Sequence, residues 1–466
     1  MTRIDLVLRD VEIDGRAGQD ALIGGGRILA VGPRLAAGGP ELDGRGGALI
    51  PGLADHHIHL MGLAAEAASV TLDGVANASD FADRVIAGLA ARPDGGWVRI
   101  TGYHEAMAGE LTRQELDVIA PRHRLRVQHQ TGSLWILNSR AILALNLDDP
   151  PPGLERGRDG RPTGRIWRGD VWLRGQIGVE PPPLAPIGRQ LADFGITHLT
   201  DASVTTDSGT ADLMAHAVRT GALPQRLMLM SGGSLTAPND QAFAIGPVKI
   251  LLDDHDLPPV QDVMATIERA RGWGRGVAVH CVTAAELAIT LAAFEGAGAL
   301  PGDRVEHGGV IPLGAIPQLA ALGLTVVTQP AFVRERGDRY IKEVDPSEHL
   351  DLYRCASLFM GGVAVAASSD APYATPDPWV AMAAAMDRTT RSGRVLGAGE
   401  RVPPAAALAM YLDAPTAPGR TRRRVALGEP ADLCLLRAPL RDVLASPTAE
   451  WVRATLVAGR LTSDAV

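Results

Sequence analysis

The sequence predicts an α/β protein: a (β/α)8 barrel of the TIM type, a small β-sandwich domain built from both termini, and a large insertion after the first barrel strand. Short apolar runs alternate with Ala- and Leu-rich helical segments through the centre of the chain. Both ends instead carry short runs of Val, Ile and Leu separated by glycines, a pattern typical of strands and turns. The gap of roughly 135 residues between the first two central runs is far longer than one crossover connection.

The β-rich ends predict one small domain. Segments such as "DLVLRDVEI" and "ALIGGGRILAVG" near the amino terminus have counterparts in "ADLCLLRA" and "ATLVAGRLT" near the carboxyl terminus. We therefore assign 1–50 together with 415–466 to the β-sandwich and 51–414 to the barrel. A subdomain inserted at about 67–190 accounts for the long gap.

The barrel is predicted from eight short apolar runs, most of which are followed by a helical segment. Buried parallel strands that alternate with helices are typical of this fold. The runs lie at 48–59, 197–202, 226–231, 248–254, 277–282, 304–309, 324–330 and 363–370.

Composition excludes several classes of partner. The 466 residues carry a formal net charge of −8 and no lysine-rich run, so we expect no nucleic-acid partner, which would need a basic face. The longest uncharged stretch is interrupted by prolines, so we expect no membrane span. The three cysteines lie far apart and the start lacks the pattern of a signal peptide. Both features favour a cytoplasmic location.

The first barrel strand ends in imidazoles, at His56, His57 and His59. In an extended chain positions i and i+2 face the same side. His57 and His59 can therefore reach one metal ion, and we expect His56 to point away.

Four further candidate ligands lie in or directly after separate apolar runs: Lys249, His280, His307 and Asp370. Taken singly, a buried histidine is more often a core residue, and Asp370 could cap a helix. Taken together, they follow barrel order, and barrel enzymes take their catalytic groups from the carboxyl ends of different strands. The joint pattern indicates a metal site.

Lys249 stands out by composition. Of the 45 basic residues, only Lys249 and Lys342 are lysine. A primary amine, unlike a guanidinium, loses its charge readily when buried, and it can then react with CO2 to form a carbamate that bridges two metals. The alternative is an ordinary lysine paired with Asp253 or Asp254.

These residues resemble the amidohydrolase superfamily. "PGLADHHIH" is similar to its first-strand His-x-His motif, and Lys249, His280, the "EH" at 306–307 and the "SSD" at 368–370 match its later metal-site positions. Within the superfamily, "GYHEA", "GSLWILNSRAI" and "GLERGRDGRPTG" resemble amidohydrolase family 3, the N-substituted formamide deformylase-like branch. The resemblance spans nearly the whole chain.

The resemblance implies a site with two divalent metal ions, Zn²⁺ in the first instance. One ion would be held by His57, His59, the carbamate on Lys249 and Asp370, and the second by the same carbamate, His280 and His307. A metal-activated hydroxide would then cleave a C–N bond of a small amide or N-formyl or N-acyl amine, with Asp370 as catalytic proton shuttle. A homodimer is left open.

Other activities remain open at this point. The same ligands support a lactonase or esterase, or a phosphotriesterase-type hydrolase. A mononuclear deaminase would not need Lys249, and a non-enzymatic scaffold should have lost ligands that are all present in this chain.

Substrate contacts are predicted from residues in the insertion and after barrel strands. Each of these side chains could equally be structural. The candidates are Tyr103, His104, Trp135, Asp201 and Phe332. One position departs from the expected family pattern, because Ser133 stands where the resemblance leads us to expect a histidine, close to His129 and Gln130.

Overall fold

The structure, a computed structural model, describes residues 3–72, 74–90, 92–131, 133–178 and 181–464. The outermost residues of the predicted terminal domain, and Gly132 of the quoted insertion motif, lie outside these ranges. The strands, in chain order, are β1 (Leu6–Ile13), β2 (Arg16–Gly24), β3 (Arg27–Gly32), β4 (Glu41–Asp43), β5 (Leu49–Pro51), β6 (Leu53–Ile58), β7 (Val70–Thr71), β8 (Trp97–Tyr103), β9 (Arg124–His129), β10 (Leu134–Leu137), β11 (Leu154–Arg156), β12 (Pro162–Trp167), β13 (Ile196–Asp201), β14 (Arg226–Ser231), β15 (Ala244–Ile250), β16 (Val277–Cys281), β17 (Arg304–His307), β18 (Thr325–Thr328), β19 (Ala364–Ala367), β20 (Leu433–Leu436), β21 (Val452–Val457) and β22 (Arg460–Asp464).

The α-helices, in chain order, are α1 (Leu60–Ala67), α2 (Ala78–Leu89), α3 (Glu105–Ala108), α4 (Arg113–Ile119), α5 (Ser139–Leu143), α6 (Asp170–Ile177), α7 (Ala185–Asp193), α8 (Ser208–Arg219), α9 (Val260–Gly272), α10 (Ala284–Ala297), α11 (Ile316–Ala321), α12 (Ala331–Glu343), α13 (Ala356–Met360), α14 (Pro378–Asp387), α15 (Pro404–Ala409) and α16 (Leu440–Ala445). Among the described helices, none combines the length and the apolar character that crossing a membrane requires.

The predicted barrel is confirmed. β6 and β13 to β19 form one eight-stranded sheet in the order β6-β13-β14-β15-β16-β17-β18-β19, and every neighbouring pair is parallel. Each strand overlaps one of the eight apolar runs, although β15 begins and ends four residues before the run predicted at 248–254. Between the last strand and the first, backbone hydrogen bonds join Asp370 N to His57 O (2.8 Å) and His59 N to Ala371 O (2.9 Å).

The two chain ends form two four-stranded sheets, in the orders β3-β2-β1-β4 and β22-β21-β20-β5. One apolar core holds side chains from both ends of the chain, for example Leu8 and Ile23 with Leu433 and Leu456. Alternation along these strands puts apolar side chains on one face, so two sheets from distant segments can bury a common core.

The chain divides into two compact units, one of 1–60 with 184–466 and one of 61–183. The second unit has its own sheet, in the order β11-β12-β10-β9-β8-β7. Phe81, Ile100 and Leu116 lie in its own buried core. The large insertion after the first barrel strand is thus a folded unit in its own right.

Candidate metal centre

The six predicted metal-site residues lie at the carboxyl ends of five barrel strands. Ligands placed there converge because the strands are parallel and their ends share one face of the barrel. The residues are His57 and His59 in and after β6, Lys249 in β15, His280 in β16, His307 in β17 and Asp370 after β19.

Three of these side chains come together at the junction of the first and last strands. One possible ligand atom from each of His57, His59 and Asp370 lies within 4.8 Å of the other two. The Oδ1 atom of Asp370 lies 3.1 Å from Nε2 of His59 and 3.4 Å from Nε2 of His57. We call these three residues the barrel cluster.

The barrel cluster has the donor chemistry that a divalent cation requires. Nδ1 of His57 bonds the Glu306 carboxylate, so in the neutral ring the proton is on Nδ1 and Nε2 carries a lone pair. Neither this Nε2 nor Oδ1 of Asp370 has a hydrogen-bond partner among the described residues. Two buried lone pairs that face each other are unfavourable unless a cation lies between them. Imidazole nitrogen and carboxylate oxygen both suit Zn²⁺.

His307 and His280 extend this group of rings. The ring centroid of His307 lies 4.7 Å from that of His57 and 4.5 Å from that of His280, and Nδ1 of His307 lies 3.7 Å from Oδ2 of Asp370. Nδ1 of His307 also lies 3.0 Å from Oε1 of Gln329, whose amide nitrogen donates to Ser368. Because the Gln329 oxygen is left to accept, His307 donates from Nδ1 and keeps Nε2 free.

Burial keeps these rings neutral, as metal ligation requires. Burial lowers the pKa of His57 and His307 well below the usual range, and it lowers the pKa of His280 to about 4. Whenever Lys249 is protonated, its charge lowers the pKa of each ring further.

Lys249 is an amine buried among these groups. Its Nζ has no hydrogen-bond partner among the described residues. Burial lowers the pKa of Lys249, although the carboxylates of Glu306 and Asp370 act in the opposite direction. An unpartnered ammonium inside a barrel is costly, so the neutral amine is favoured there.

Backbone strain marks two of the strand ends. His307 and Asp370 adopt positive φ angles of 69° and 56°. Residues other than glycine seldom adopt this conformation, which typically costs about 1–3 kcal/mol and concentrates at functional sites.

Asp55 joins the first strand to the last. Its carboxylate accepts hydrogen bonds from Ser369 Oγ (2.5 Å), Ser369 N (3.1 Å) and His57 N (3.1 Å). Asp55 is fully buried, and burial raises its pKa to about 6. These bonds place His57 beside Asp370, because Asp55 bonds both the backbone of His57 itself and Ser369, the residue immediately before Asp370.

His56 does not belong to the barrel cluster, in agreement with the alternation of the strand. Its ring is fully buried, and both ring nitrogens are without hydrogen-bond partners among the described residues. Burial lowers the pKa of His56 to about 3, and the charges of Arg304 and Arg423 act in the same direction.

The five candidate substrate contacts fall in both units. Tyr103, His104 and Trp135 belong to the unit of 61–183. Tyr103 and Trp135 are buried in that unit, and the Tyr103 hydroxyl lies 2.5 Å from the carbonyl oxygen of Gly109. Nothing in their local contacts distinguishes a binding role from a structural one.

The other two candidates belong to the barrel. Both carboxylate oxygens of Asp201 accept backbone N–H groups, from Leu60 (2.8 Å) and Ser203 (3.0 Å). Phe332 is buried and packs edge-on against Tyr353, with ring centroids 5.4 Å apart. Asp201 thus holds Leu60, the residue after His59, and Ser203, whose Oγ lies 3.1 Å from Nδ1 of His59.

A second histidine cluster lies in the inserted unit and was not predicted as a metal site, although His104 was predicted as a substrate contact. His104, Glu105 and His129 also have possible ligand atoms within 4.8 Å of one another. Nε2 of His129 lies 3.0 Å from the Glu105 carboxylate. We call these three residues the insertion cluster. Nearby, Ser133, the residue that departs from the family pattern, accepts a backbone hydrogen bond from Arg168.

Sequence reasoning missed the residues that hold the ligands. Asp55, Glu306 and Ser369 stand inside the quoted motifs "PGLADHHIH", "EH" and "SSD". Each stands one or two positions from a predicted ligand, and this closeness in the sequence is the signal that could have identified them. Their partners lie far away along the chain, so their roles needed the fold.

Comparison with known proteins identifies the family to which this chain belongs. The sequence model of the amidohydrolase family, family 3, matches residues 41–463 of this chain. Among curated proteins, Protein LONG AFTER FAR-RED 3 of Arabidopsis thaliana is 29% identical over 154 residues. That match covers 30% of this chain and 26% of the plant protein.

Solved structures share the fold over nearly the whole length. An uncharacterized metal-dependent hydrolase from Pyrococcus furiosus is 22% identical, with a TM-score of 0.74 over 91% of this chain and 97% of its own. A second uncharacterized metal-dependent hydrolase, from Pyrococcus horikoshii, is 19% identical, with a TM-score of 0.74 over 98% and 99% of the two chains. N-isopropylammelide isopropylaminohydrolase from Burkholderia multivorans is 18% identical, with a TM-score of 0.54 over 98% of each chain.

Proposed function

Because the chain belongs to the amidohydrolase family, we propose that it is a hydrolase with two zinc ions that cleaves the C–N bond of a small amide or of an N-formyl or N-acyl amine. The observation that carries the proposal is the pair of unpartnered, electron-rich atoms in the barrel cluster, Nε2 of His57 and Oδ1 of Asp370, 3.4 Å apart. The resemblance of the insertion motifs to the N-substituted formamide deformylase-like branch supports the substrate class.

In this proposal six side chains hold the two ions. His57, His59 and Asp370 hold one, and His280 and His307 hold the other. A carbamate on Lys249 serves both. When bound, two divalent ions lower the pKa of a shared water molecule and polarise the scissile carbonyl.

Asp370 is the proposed proton carrier. A carboxylate beside the attacking water can accept its proton and deliver it to the leaving nitrogen, which must be protonated before it departs as an amine. Its two oxygens face different histidines, Oδ1 toward His59 and Oδ2 toward His307, and this position among the proposed ligands supports the role.

The carbamate proposal rests on the state of Lys249. Carbamate formation joins the neutral amine to CO2 and releases a proton, so it needs an amine that is not protonated. Burial that lowers the pKa of Lys249 favours this state, and the resulting negative charge would match the two cations, whereas an ammonium would be repelled by them.

The test begins with metal content and substrate class. Protein purified from zinc-supplemented cultures should hold close to two zinc ions per chain, and removal of the zinc with a chelator should abolish activity. A panel of amides, N-formyl amines, lactones and phosphotriesters separates the C–N hydrolase from the lactonase and phosphotriesterase alternatives. Protein that holds no zinc after supplementation would refute the metal centre, and turnover confined to lactones or phosphotriesters would refute the substrate class.

Lys249 has its own test. Lys249→Ala should lose zinc and turnover and regain part of both with added short-chain carboxylates, which can occupy the place of the carbamate. Lys249→Arg should also fail, since a guanidinium does not form a carbamate. Lys342→Arg, at the exposed second lysine, is the matched control and should behave as the wild type. Wild-type zinc content and turnover in Lys249→Arg would show that the lysine supplies only charge.

A further inference from the structure

His57 is bonded on the side of its ring that faces away from Asp370. Its Nδ1 pairs with Oε2 of Glu306, and both side chains are fully buried. Glu306 belongs to β17. It therefore pairs with one predicted ligand, His57, and immediately precedes another, His307, along the chain. A buried carboxylate that accepts the Nδ1 proton determines which ring nitrogen is left for a metal.

Arg304 holds Glu306 in turn. Its Nε lies 2.6 Å from Oε1 of Glu306, the carboxylate oxygen that does not bond His57, in an ion pair that lacks the alignment of a hydrogen bond. Its Nη2 donates to the carbonyl oxygen of His56, at 3.2 Å. One buried guanidinium therefore contacts both the carboxylate that orients the His57 ring and the peptide immediately before His57.

We infer that Glu306 and Arg304 form a positioning pair that fixes the tautomer and the ring orientation of His57, and so sets the zinc affinity of the barrel cluster. The inference rests on the proposed function. Neither side chain needs to touch metal or substrate, since Glu306 acts through the ring and Arg304 acts through Glu306 and the strand. Such outer partners of a metal-binding histidine are typically worth about 10–100-fold in metal affinity.

The chemistry predicts what Glu306→Gln would do. The amide of glutamine has one acceptor and one donor group where the carboxylate has two acceptors. If its oxygen faces His57, the ligating tautomer is kept, but the ion pair is lost and an NH2 group lies against the Arg304 guanidinium. If its NH2 faces His57, the ring must accept at Nδ1 and carry its proton on Nε2, where the metal would bind. The first arrangement is costly and the second gives the wrong tautomer, so the ligating form is less favoured than with Glu306.

The experiment measures the zinc dissociation constant by competition with a chromophoric chelator, and the thermal midpoint of the metal-free protein. The matched control is Glu400→Gln. Glu400 is also a buried glutamate paired with an arginine, Arg354 at 2.6 Å, and it also accepts from Ser357. We expect Glu306→Gln to weaken zinc binding about 10–100-fold and Glu400→Gln to leave it within threefold. X-ray absorption of the zinc-loaded Glu306→Gln protein should show fewer imidazole ligands per zinc.

Two further variants cover the case in which Glu306→Gln does not fold. Glu306→Asp keeps the charge but shortens the side chain. Arg304→Lys keeps a positive charge near Glu306, but its single ammonium group cannot reach both Glu306 and the His56 carbonyl oxygen as the planar guanidinium does. Both should weaken zinc binding less than the glutamine variant and more than threefold. Zinc affinity within threefold of the wild type in all the variants that fold, or an equal loss in Glu400→Gln, would overturn the inference. If the wild type itself holds no zinc, the proposed function fails first; if it holds zinc and the Glu306 and Arg304 variants bind it equally, only the positioning pair fails.

Discussion

The barrel cluster and the insertion cluster contain the same chemical groups, two imidazoles and one carboxylate within 4.8 Å, but they differ in where the remaining ring nitrogens point. In the barrel, Nδ1 of His57 pairs with a carboxylate, and Nε2 is left without a partner. In the insertion, Nδ1 of His104 accepts a backbone N–H from Ala106 at 3.0 Å, and Nδ1 of His129 accepts one from Thr131 at 3.2 Å.

This difference has a chemical consequence. A neutral ring that accepts at Nδ1 must carry its proton on Nε2, and Nε2 of His129 can then donate to Glu105. Both ring nitrogens of His129 and Nδ1 of His104 are hydrogen-bonded without a metal, whereas the barrel cluster leaves the lone pairs of His57 Nε2 and Asp370 Oδ1 without a partner among the described residues. Residue type and proximity are therefore insufficient to identify a metal site, and the partner of the second nitrogen decides.

The largest expected effect tests this contrast directly. The double variant His57→Ala/His59→Ala should lose the zinc of the barrel cluster and at least about 10³-fold in turnover, because metal catalysis contributes several kcal/mol to the transition state. The matched double variant His104→Ala/His129→Ala should keep the wild-type zinc content. Elemental analysis of both proteins checks the prediction, and a loss of zinc from the insertion variant would break the comparison.

A smaller effect is expected at the carboxylates. Asp370→Asn keeps a neutral oxygen ligand but cannot carry a proton, so zinc should largely remain while kcat falls about 10²–10⁴-fold. Glu105→Gln is the matched change in the insertion cluster and should leave the zinc content unchanged. The measurements are kcat on one amide substrate and bound zinc, and wild-type turnover in Asp370→Asn would show that another group carries the proton.

The hydrogen bonds that hold the barrel cluster in place should contribute measurably to the free energy of unfolding. Ser369→Ala removes the hydroxyl that donates to buried Asp55, and a buried acceptor left without its donor typically costs about 1–3 kcal/mol in the free energy of unfolding. Thr131→Ala removes the hydroxyl 2.8 Å from Nδ1 of His129. Because Thr131 is exposed, this change should cost less than about 0.5 kcal/mol. Denaturant unfolding of the metal-free proteins checks both values, and equal losses would contradict the contrast.

The smallest effect concerns the thiols of the unit that holds the barrel cluster. Burial raises the pKa of Cys281 to about 12, of Cys355 to about 11 and of Cys434 to about 12, and all three are buried. Since the thiolate is the reactive form, the native protein should show almost no alkylation at pH 8, and the denatured protein should react at all three. Rapid native labelling of Cys281, next to His280, would show that solvent reaches the interior of the barrel.

The sequence by itself determined the eight barrel strands, the joint packing of the two β-rich chain ends and the positions of the candidate ligands. These are local signals, since apolar runs, glycine-containing turns and polar residues at strand ends are visible within a few residues of one another. The parallel arrangement then follows from alternation with helices, and it brings distant strand ends to one face. The face on which His57 and His59 lie also followed from the two-residue period of a strand.

Only the tertiary structure decided which nitrogens and oxygens are free to bind. Glu306 lies 249 residues from His57 along the chain, and Ser369 lies 314 residues from Asp55. No local pattern links such positions, because the Asp55–Ser369 contact depends on how the first and last strands meet, and the His57–Glu306 contact joins the first strand to the sixth. The tautomer of a buried histidine is determined by these distant partners. For the same reason, the sequence could name the ligands of the barrel cluster but could not separate that cluster from the satisfied histidines of the insertion.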